Sequence, residues 1–266
     1  MHVGLCLSYI VDPLLPSRGF RIDDHGRIED SDLPHTMGPY DEAALELGLR
    51  LKDAGIARRL TAITIGDSSA EDIVRRAYAL HVDDGLRIET DIDQMFDPRH
   101  VVQSLAAAVR SLDLAVDVVL IGRVFGDWDD GVVPPLFAEV LGVPFIGMIH
   151  SFELVEGKLV AVRRWEGFME RIMVLPPVVV SVDTHPEVRL RFPLVKNVIA
   201  SKKRGVRVLS GSARTAGTAV VETVRPWLRR IRGRREVVGE PLDLQVKLLY
   251  NKIVEIIGES KGGGLK

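Results

Sequence analysis

The 266-residue chain has a single cysteine, Cys6. That excludes an intrachain disulfide and fits a reducing, cytoplasmic compartment. No apolar run approaches the ~18 residues of a membrane span, so no membrane insertion is expected. The first residues, MHVGLCLSYI, lack a basic leader and a small-residue cleavage site, and are expected to form a buried first strand rather than a signal peptide. Formal net charge is −2, so no broad basic field points to nucleic acid; the basic runs at 202–204 and 229–235 are local. Amide side chains are scarce and arginine is frequent, a composition that suggests a thermophile. No internal repeat of fixed period is found. Two nucleotide-binding signatures are also missing: there is no GxxxxGK(S/T) loop and no GxGxxG fingerprint.

What is present is ordinary globular composition, 46% hydrophobic and 27% charged. Strand and helix patterns alternate. Residues 3–10 read as a strand ending at Asp12-Pro13, and 14–37 as a long loop or small hairpin. Residues 41–52 read as a helix closed by Gly55, with Asp41 as a candidate cap. A strand at 60–65, a turn with cap chemistry at 66–69, a helix at 70–80, a strand at 85–88 and an amphipathic helix at 98–112 follow. The run AVDVVLI (115–121) has the continuous apolar character of a central parallel strand. A helix to about 141 and a strand at 143–146 complete the alternation. It implies an α/β fold, a Rossmann-like parallel sheet flanked by helices, with right-handed crossovers.

From Ser151 the pattern becomes an antiparallel meander, with turns at Glu156-Gly157 and Glu166-Gly167. A buried strand follows at 178–182, and the α/β unit is expected to span 1–205. Residues 206–266 are expected to form a C-terminal helical arm. Its start, 205–218, reads as a linker or extended arm, followed by helices at 220–231 and 242–257. Leu242, Val246, Leu249, Ile253 and Ile257 form one stripe. Such a stripe must dock on the core or on a partner, and the long polar linker favours a partner.

In an open parallel sheet, ligands bind outside the carboxyl ends of the strands. The segments that meet that edge are 7–12, 66–69 and 122–133, with 35–41 able to close over it. One of them contains GDWDDGVVPP (126–135), with three carboxylates in four residues. A metal would want a histidine nearby, and none occurs between His100 and His150. General acid/base work lacks a nearby nucleophile or oxyanion stabiliser. Asp129 or Asp130 could cap the following helix. Gly122 and Gly126 let backbone approach a ligand, and Gly131, Val132 and Val133 lie at a helix start that favours phosphate. Trp128 and Tyr40 read as packed rings, Cys6 as a small residue at a strand end, and His35, His150 and His185 show no ligand spacing. The residues point to a nucleotide and leave open which one.

Three segments together resemble the β subunit of electron transfer flavoproteins. HTMGPYDEAALE (35–46) with LRLK (49–52) is similar to that family's H-S-M-N-P-(F/Y)-D-E-x-A-x-E and LRLKE. IGRVFGDWD (121–129) is similar to LGxQAxDxD, and RFPLVKNVIASKK (191–203) to RYxxLxxIMKAKK. The resemblance runs in order over residues 1 to about 205. It implies an adenine-nucleotide α-hydrolase-like domain in one half of a heterodimer, whose arm wraps the α subunit. The pair would carry electrons between flavin dehydrogenases, or NADH, and a quinone- or ferredoxin-linked acceptor. Carried over to this chain, ligand contacts fall on Cys6, Gly38, Pro39, Tyr40, Asp41, Ile65, Gly66, Gly122, Arg123, Asp127, Asp129, Gly131, Val132 and Val133. The partner-docking loop falls on Phe192–Asn197, with Leu194 and Lys196 in it and Val195 in place of its protruding leucine.

Several departures from the family pattern bear on the ligand. The family's Asn before Pro is Gly38. In members that hold AMP as a structural nucleotide, the phosphate loop resembles D-D-D-x-N-Q-T-G, whereas here Gly131, Val132 and Val133 replace Asn, Gln and Thr. Flavin-bifurcating members resemble D-G-D-T-A-Q-V-G-P with Arg after the strand, and Arg123, Asp127, Asp129, Val133 and Pro135 stand at those places. The pattern tilts the ligand toward a second FAD rather than AMP. Val124 and Val132, in place of family glutamines, fit neither type. A flavin on this chain could receive a hydride from a nicotinamide, with Arg123 facing a reduced flavin or a phosphate. The family's methylatable lysine is Ala200. The competing readings are a stand-alone adenine-nucleotide sensor of the universal-stress type and an adenylating enzyme. The first lacks a reason for the meander and the 192–203 loop, and the second lacks its SGGxDS motif after the first strand.

Overall fold

A computed structural model describes residues 1–14, 21–22, 28–29, 33–90, 94–112, 115–126, 131–212 and 241–260. In chain order the elements are β1 (His2–Cys6), β2 (Tyr9–Val11), β3 (Arg21–Ile22), β4 (Ile28–Glu29), β5 (His35–Met37), α1 (Pro39–Asp53), β6 (Arg59–Gly66), α2 (Glu71–Ala79), β7 (Asp84–Glu89) and α3 (Pro98–Arg110). They continue as β8 (Val118–Gly122), α4 (Val133–Leu141), β9 (Phe145–Ile149), β10 (Ser151–Val155), β11 (Lys158–Trp165), β12 (Phe168–Met173), β13 (Val178–Val182), α5 (Val195–Ser201), β14 (Arg207–Ser210) and α6 (Leu242–Ser260). The chain divides into two compact units, Met1–Thr223 and Val224–Lys266.

The first unit is built on a seven-stranded sheet in the order β14-β7-β6-β1-β8-β13-β9. Every neighbouring pair in it is parallel. β1, β8 and β13 are buried on both faces, as continuous apolar strands require. One face packs against α1, α2 and the inner side of the meander, through Leu45, Leu49, Ile73, Leu159 and Ala161. The other packs against α3 and α4, through Val101, Leu105 and Phe137. The order reverses between β1 and β8, because β6 and β7 lie on one side of β1 and β8 on the other. That reversal is the switch point at which such sheets bind ligands.

Local chemistry accounts for the elements. Pro39 opens α1, acidic Asp41 and Glu42 occupy its first turn, and basic Arg50 and Lys52 its last, which matches the helix dipole. α1 lies so close on the sheet that a Cβ at Gly48 would meet Leu5 Cδ2 at 2.7 Å. Asp97 caps α3 by accepting from the Arg99 N–H. The meander turns at Glu156-Gly157 and Glu166-Gly167 have positive φ at all four residues, as two-residue hairpins of the right twist demand. β2 pairs with β5 and β3 with β4, so the excursion after β1 contains the small hairpin expected there.

One expectation is corrected. The pattern of 205–218 predicts a linker or extended arm, yet within it β14 joins the sheet, pairing in parallel with β7, with Arg207 opposite Leu86 and Ser210 opposite Glu89. A four-residue edge strand among Gly and Ser neighbours has too little pattern to stand out. The helix expected at 220–231 lies outside the described residues. In the second unit α6 forms where its stripe was expected, with Val246, Leu249 and Ile253 exposed. No described helix is long and apolar enough to cross a membrane.

α2 crosses β7 at Gly85, where an added Cβ would overlap Val74 Cγ1 and crowd the Tyr78 ring. Gly85→Ala is expected to push α2 off the sheet and cost about 1–3 kcal/mol. The check is a lower urea midpoint at unchanged m-value.

Candidate functional site

The carboxyl ends of β1 and β8 are joined by one side chain from α1. Asp41 is fully buried. Its Oδ2 accepts from the Ser8 hydroxyl and, at 3.2 Å, from the Ser8 N–H. Its Oδ1 accepts from the Gly122 N–H at 3.1 Å. The expectation that Asp41 caps α1 is therefore corrected: Gly38 holds the N-cap position without a side-chain cap, and Asp41 sits in the first turn with its carboxylate turned to the strand ends. Burial pushes the Asp41 carboxyl up to about 7, against the lowering effect of the bonds from Ser8 and Gly122.

This latch dictates the glycines around it. A Cβ at Gly38 would lie 2.8 Å from Asp41 Oδ2, and one at Gly122 would lie 2.5 Å from Oδ1 and 2.9 Å from Tyr40 Cβ. Both positions therefore keep bare backbone at the sheet edge. Gly126 and Gly131 have φ of 91° and 62°, positive values that glycine adopts without strain. Asp127, Trp128, Asp129 and Asp130 lie outside the described residues.

Arg123 follows β8, where its N–H donates to Val182 O at 2.9 Å. Its guanidinium is 3.4 Å from Asp183 Oδ2, and its Cζ lies 5.1 Å from the centroid of the Tyr40 ring. Tyr40 is thus a shelf for a cation, a role the sequence did not suggest. Asp183 itself is fixed by its N–H to Ile149 O at 2.8 Å. Beside it the His150 and His185 rings stack at 4.7 Å. Burial, the neighbouring His185 and Arg164 lower the His150 pKa.

α4 begins at Val133, and its cap position, expected at Asp129 or Asp130, is held by Val132 with no side-chain cap. Pro134 and Pro135 have no N–H, so an anion at this helix end would be met by the amides ahead of them. The side chains of Cys6, Ile65 and Val133 are core. Whatever they offer at this edge is main chain. Burial, with the Asp41 carboxylate adding to it, pushes the Cys6 thiol up, which suits a neutral packed group. Gly66 ends β6 at φ 151°, and its carbonyl accepts from Arg87 at 3.0 Å. Among the described residues no group of three or more His, Cys, Asp and Glu is placed to hold a metal ion.

Gly38, Pro39, Tyr40, Asp41, Gly122 and Arg123 thus gather at one edge. Phe192, Leu194, Val195 and Lys196 form a separate exposed group, in the loop before α5 and the first turn of α5. That loop is fastened at Arg191, which reaches both Glu46 oxygens at 3.0 Å and Asp53 at 2.6 Å. Burial alone would raise Glu46, but hydrogen bonds from Arg191 and Arg50 outweigh it and hold the carboxyl below its usual range. Phe192 is 94% and Val195 76% exposed. Sequence reasoning passed over Ser8, Glu46, Asp183 and Arg191 as working residues. Glu46 and Arg191 are 145 residues apart, and no local pattern joins them.

Residues 26–213 match the electron transfer flavoprotein domain family. The chain is similar to the electron transfer flavoprotein subunit beta of Syntrophomonas wolfei, 29% identical over 76% of this chain and 78% of that one. It is 31% identical to the subunit of the same name from Bacillus subtilis, over 69% of this chain and 70% of that one. With the Megasphaera elsdenii subunit it shares 29% identity, over 71% and 72%.

The latch gives a signed pH effect. The folded carboxyl of Asp41 titrates near 7 against an ordinary 3.8, so between those values the folded state holds the extra proton. Its contribution is fully present at low pH and is lost as pH rises toward 7. Urea midpoints at pH 5 and pH 8 should therefore fall less steeply in Asp41→Asn than in the wild type. Parallel slopes would refute the raised carboxyl.

Proposed function

The chain belongs to the electron transfer flavoprotein family, and we propose that it is the β subunit of a heterodimeric electron transfer flavoprotein. In that role it passes electrons between flavin dehydrogenases or NADH and a quinone- or ferredoxin-linked acceptor. The observation that carries the reading is the sheet edge pinned by Asp41, where Gly38, Gly122 and Arg123 meet at the switch point. Bare backbone beside one fixed arginine suits the phosphates of an adenine nucleotide.

We propose FAD as the ligand of this edge, with AMP as the alternative. When bound, a flavin supplies one- and two-electron chemistry that no side chain can. The chain's own part is to bind and orient it. Gly122, Gly126 and Gly131 would let main chain approach, and Asp41 would hold the strand ends at fixed separation. Arg123, held between Asp183 and the Tyr40 ring, would place one positive charge against a phosphate or an electron-rich ring. The pattern of Arg123, Val133 and Pro135 supports FAD and the bifurcating type. Phe192, Leu194, Val195 and Lys196 would meet the dehydrogenase, and the α6 stripe would lie on the α subunit, with the arm beginning after β14. The lone, buried Cys6 suits a reducing compartment, and the cytoplasm is the proposed location.

Co-expression with a candidate α subunit, followed by an absorbance spectrum and nucleotide extraction, tests this. Close to two FAD per heterodimer is the expected result, dropping toward one in Arg123→Gln while the heterodimer survives. One FAD with one AMP would keep the subunit reading and overturn the ligand. A colourless monomer that binds ATP would overturn both.

A further inference from the structure

A concavity of the first unit lies at the opposite, amino-terminal edge of the sheet. It is a cavity of about 260 Å³ at the starts of β1, β6, β7 and β14, lined by His2, Arg59, Tyr78, Asp84, Arg204 and Arg207 among others. Three arginines face one carboxylate, and that carboxylate is already used: Asp84 pairs with Arg59 at 2.5 Å. Among the described residues no carboxylate pairs with Arg204 or Arg207. Arg207 directs only Nη2 to protein, at 2.9 Å from Ser111 O and 2.8 Å from its hydroxyl, where it closes the C-terminal end of α3. Among the described residues its Nε and Nη1 have no acceptor. Arg204 lies over the Tyr78 ring, 3.7 Å from the centroid, and gives its terminal nitrogens to the carbonyls of Val82 and Asp83. The Tyr78 hydroxyl is tied in turn to Gly85 O and Gly205 O at 3.3 Å.

These guanidinium groups are held in place before any ligand arrives, and the surplus charge is positive. The N–H groups that these contacts leave over can each donate a charge-assisted hydrogen bond to a phosphate oxygen. The volume falls below the ~300–1,000 Å³ of sites for drug-sized ligands, so a dinucleotide does not fit and a compact anion does. We propose that this amino-edge pocket is a second ligand site, separate from the nucleotide edge, and that it binds a compact phosphate-bearing anion through Arg204 and Arg207. Occupancy would bridge the end of α5 to edge strand β14 and stiffen that side of the sheet.

The test is titration of the full chain, purified with its α subunit where needed, with inorganic phosphate and then pyrophosphate, followed by calorimetry at constant ionic strength. Saturable binding is expected. It should weaken about tenfold or more in Arg204→Gln/Arg207→Gln and persist in Arg123→Gln, which reports on the opposite edge. Gly205→Glu gives a second arm: a Cβ there meets nothing within 4 Å, so the fold should tolerate it while the new carboxylate occupies the pocket mouth. That variant should also lose phosphate binding. No saturable binding by the wild type would overturn the proposal. So would loss in Arg123→Gln alone, or equal binding by the double variant and Gly205→Glu. An equal response to chloride would mean ionic strength only, and would overturn it as well.

Discussion

The Asp41 carboxylate is the constraint around which the first unit is arranged. It is buried with no cationic partner among the described residues, a costly state for an acid. Two things offset the cost. Three donors converge on it, from the Ser8 main chain, the Ser8 hydroxyl and the Gly122 main chain. It also lies in the first turn of α1, where the helix dipole favours negative charge. The need for such a group follows from topology. Between β1 and α1 the chain leaves on a long excursion and must come back beside β8, at the one place where the sheet splays its crossovers. A carboxylate, with two oxygens and several lone pairs, can hold two strand ends and a helix start at once. An amide could accept at only one of its two ends.

The same helix carries a second buried carboxylate with the opposite solution. Glu46 is also nearly inaccessible, but it is surrounded by Arg191 and Arg50. Asp41 faces the sheet edge, where an added arginine would fill the space that backbone must leave open. Glu46 lies farther along α1, where full charge is useful because it must hold an arginine against solvent. One carboxyl is raised and the other lowered, although both are buried acids of one helix. Burial dominates at Asp41, which has no cation beside it among the described residues, whereas at Glu46 the arginines outweigh burial. α1 thereby joins the two working regions of the unit, the glycine edge at its start and the exposed loop clamped toward its end.

Local patterns made most of this fold legible. The alternation of apolar strands with amphipathic helices, the two glutamate-glycine turns and the run at Val178–Val182 all fell where the residues indicated. The site was legible in outline, since Gly122, Arg123 and the 35–41 loop could be placed at a strand's carboxyl end by topology alone. What stayed hidden is of one kind. β14 is a short edge strand whose partner β7 lies far back in the chain. Ser8, Asp183 and Arg191 matter through contacts with residues that neither periodicity nor spacing connects to them. From its neighbours in the chain Asp41 reads as a cap, and the resemblance adds it as a ligand contact; neither reveals the latch, because cap chemistry is local and the latch is not. Sequence reading finds what neighbours in the chain determine, and a functional edge is assembled from residues that are neighbours only in space.

The exposed loop shows what these long-range contacts accomplish. α5 has only seven residues and no side-chain cap, so it has little stability of its own. Before it, Arg191 is fixed to Glu46 and Asp53. After it, Arg75 donates to the carbonyls of Lys202 and Arg204 at 3.2 and 3.1 Å, and Arg204 lies on Tyr78. Asn197 adds a contact of 3.0 Å to His81. The segment is therefore clamped by arginines at both ends. That arrangement releases Phe192, Leu194, Val195 and Ile199 from packing, and all four are exposed. In a loop anchored by burial those side chains would be the anchors. Here polar clamps do that work, so an apolar surface can be both ordered and uncovered, the condition a partner surface has to meet.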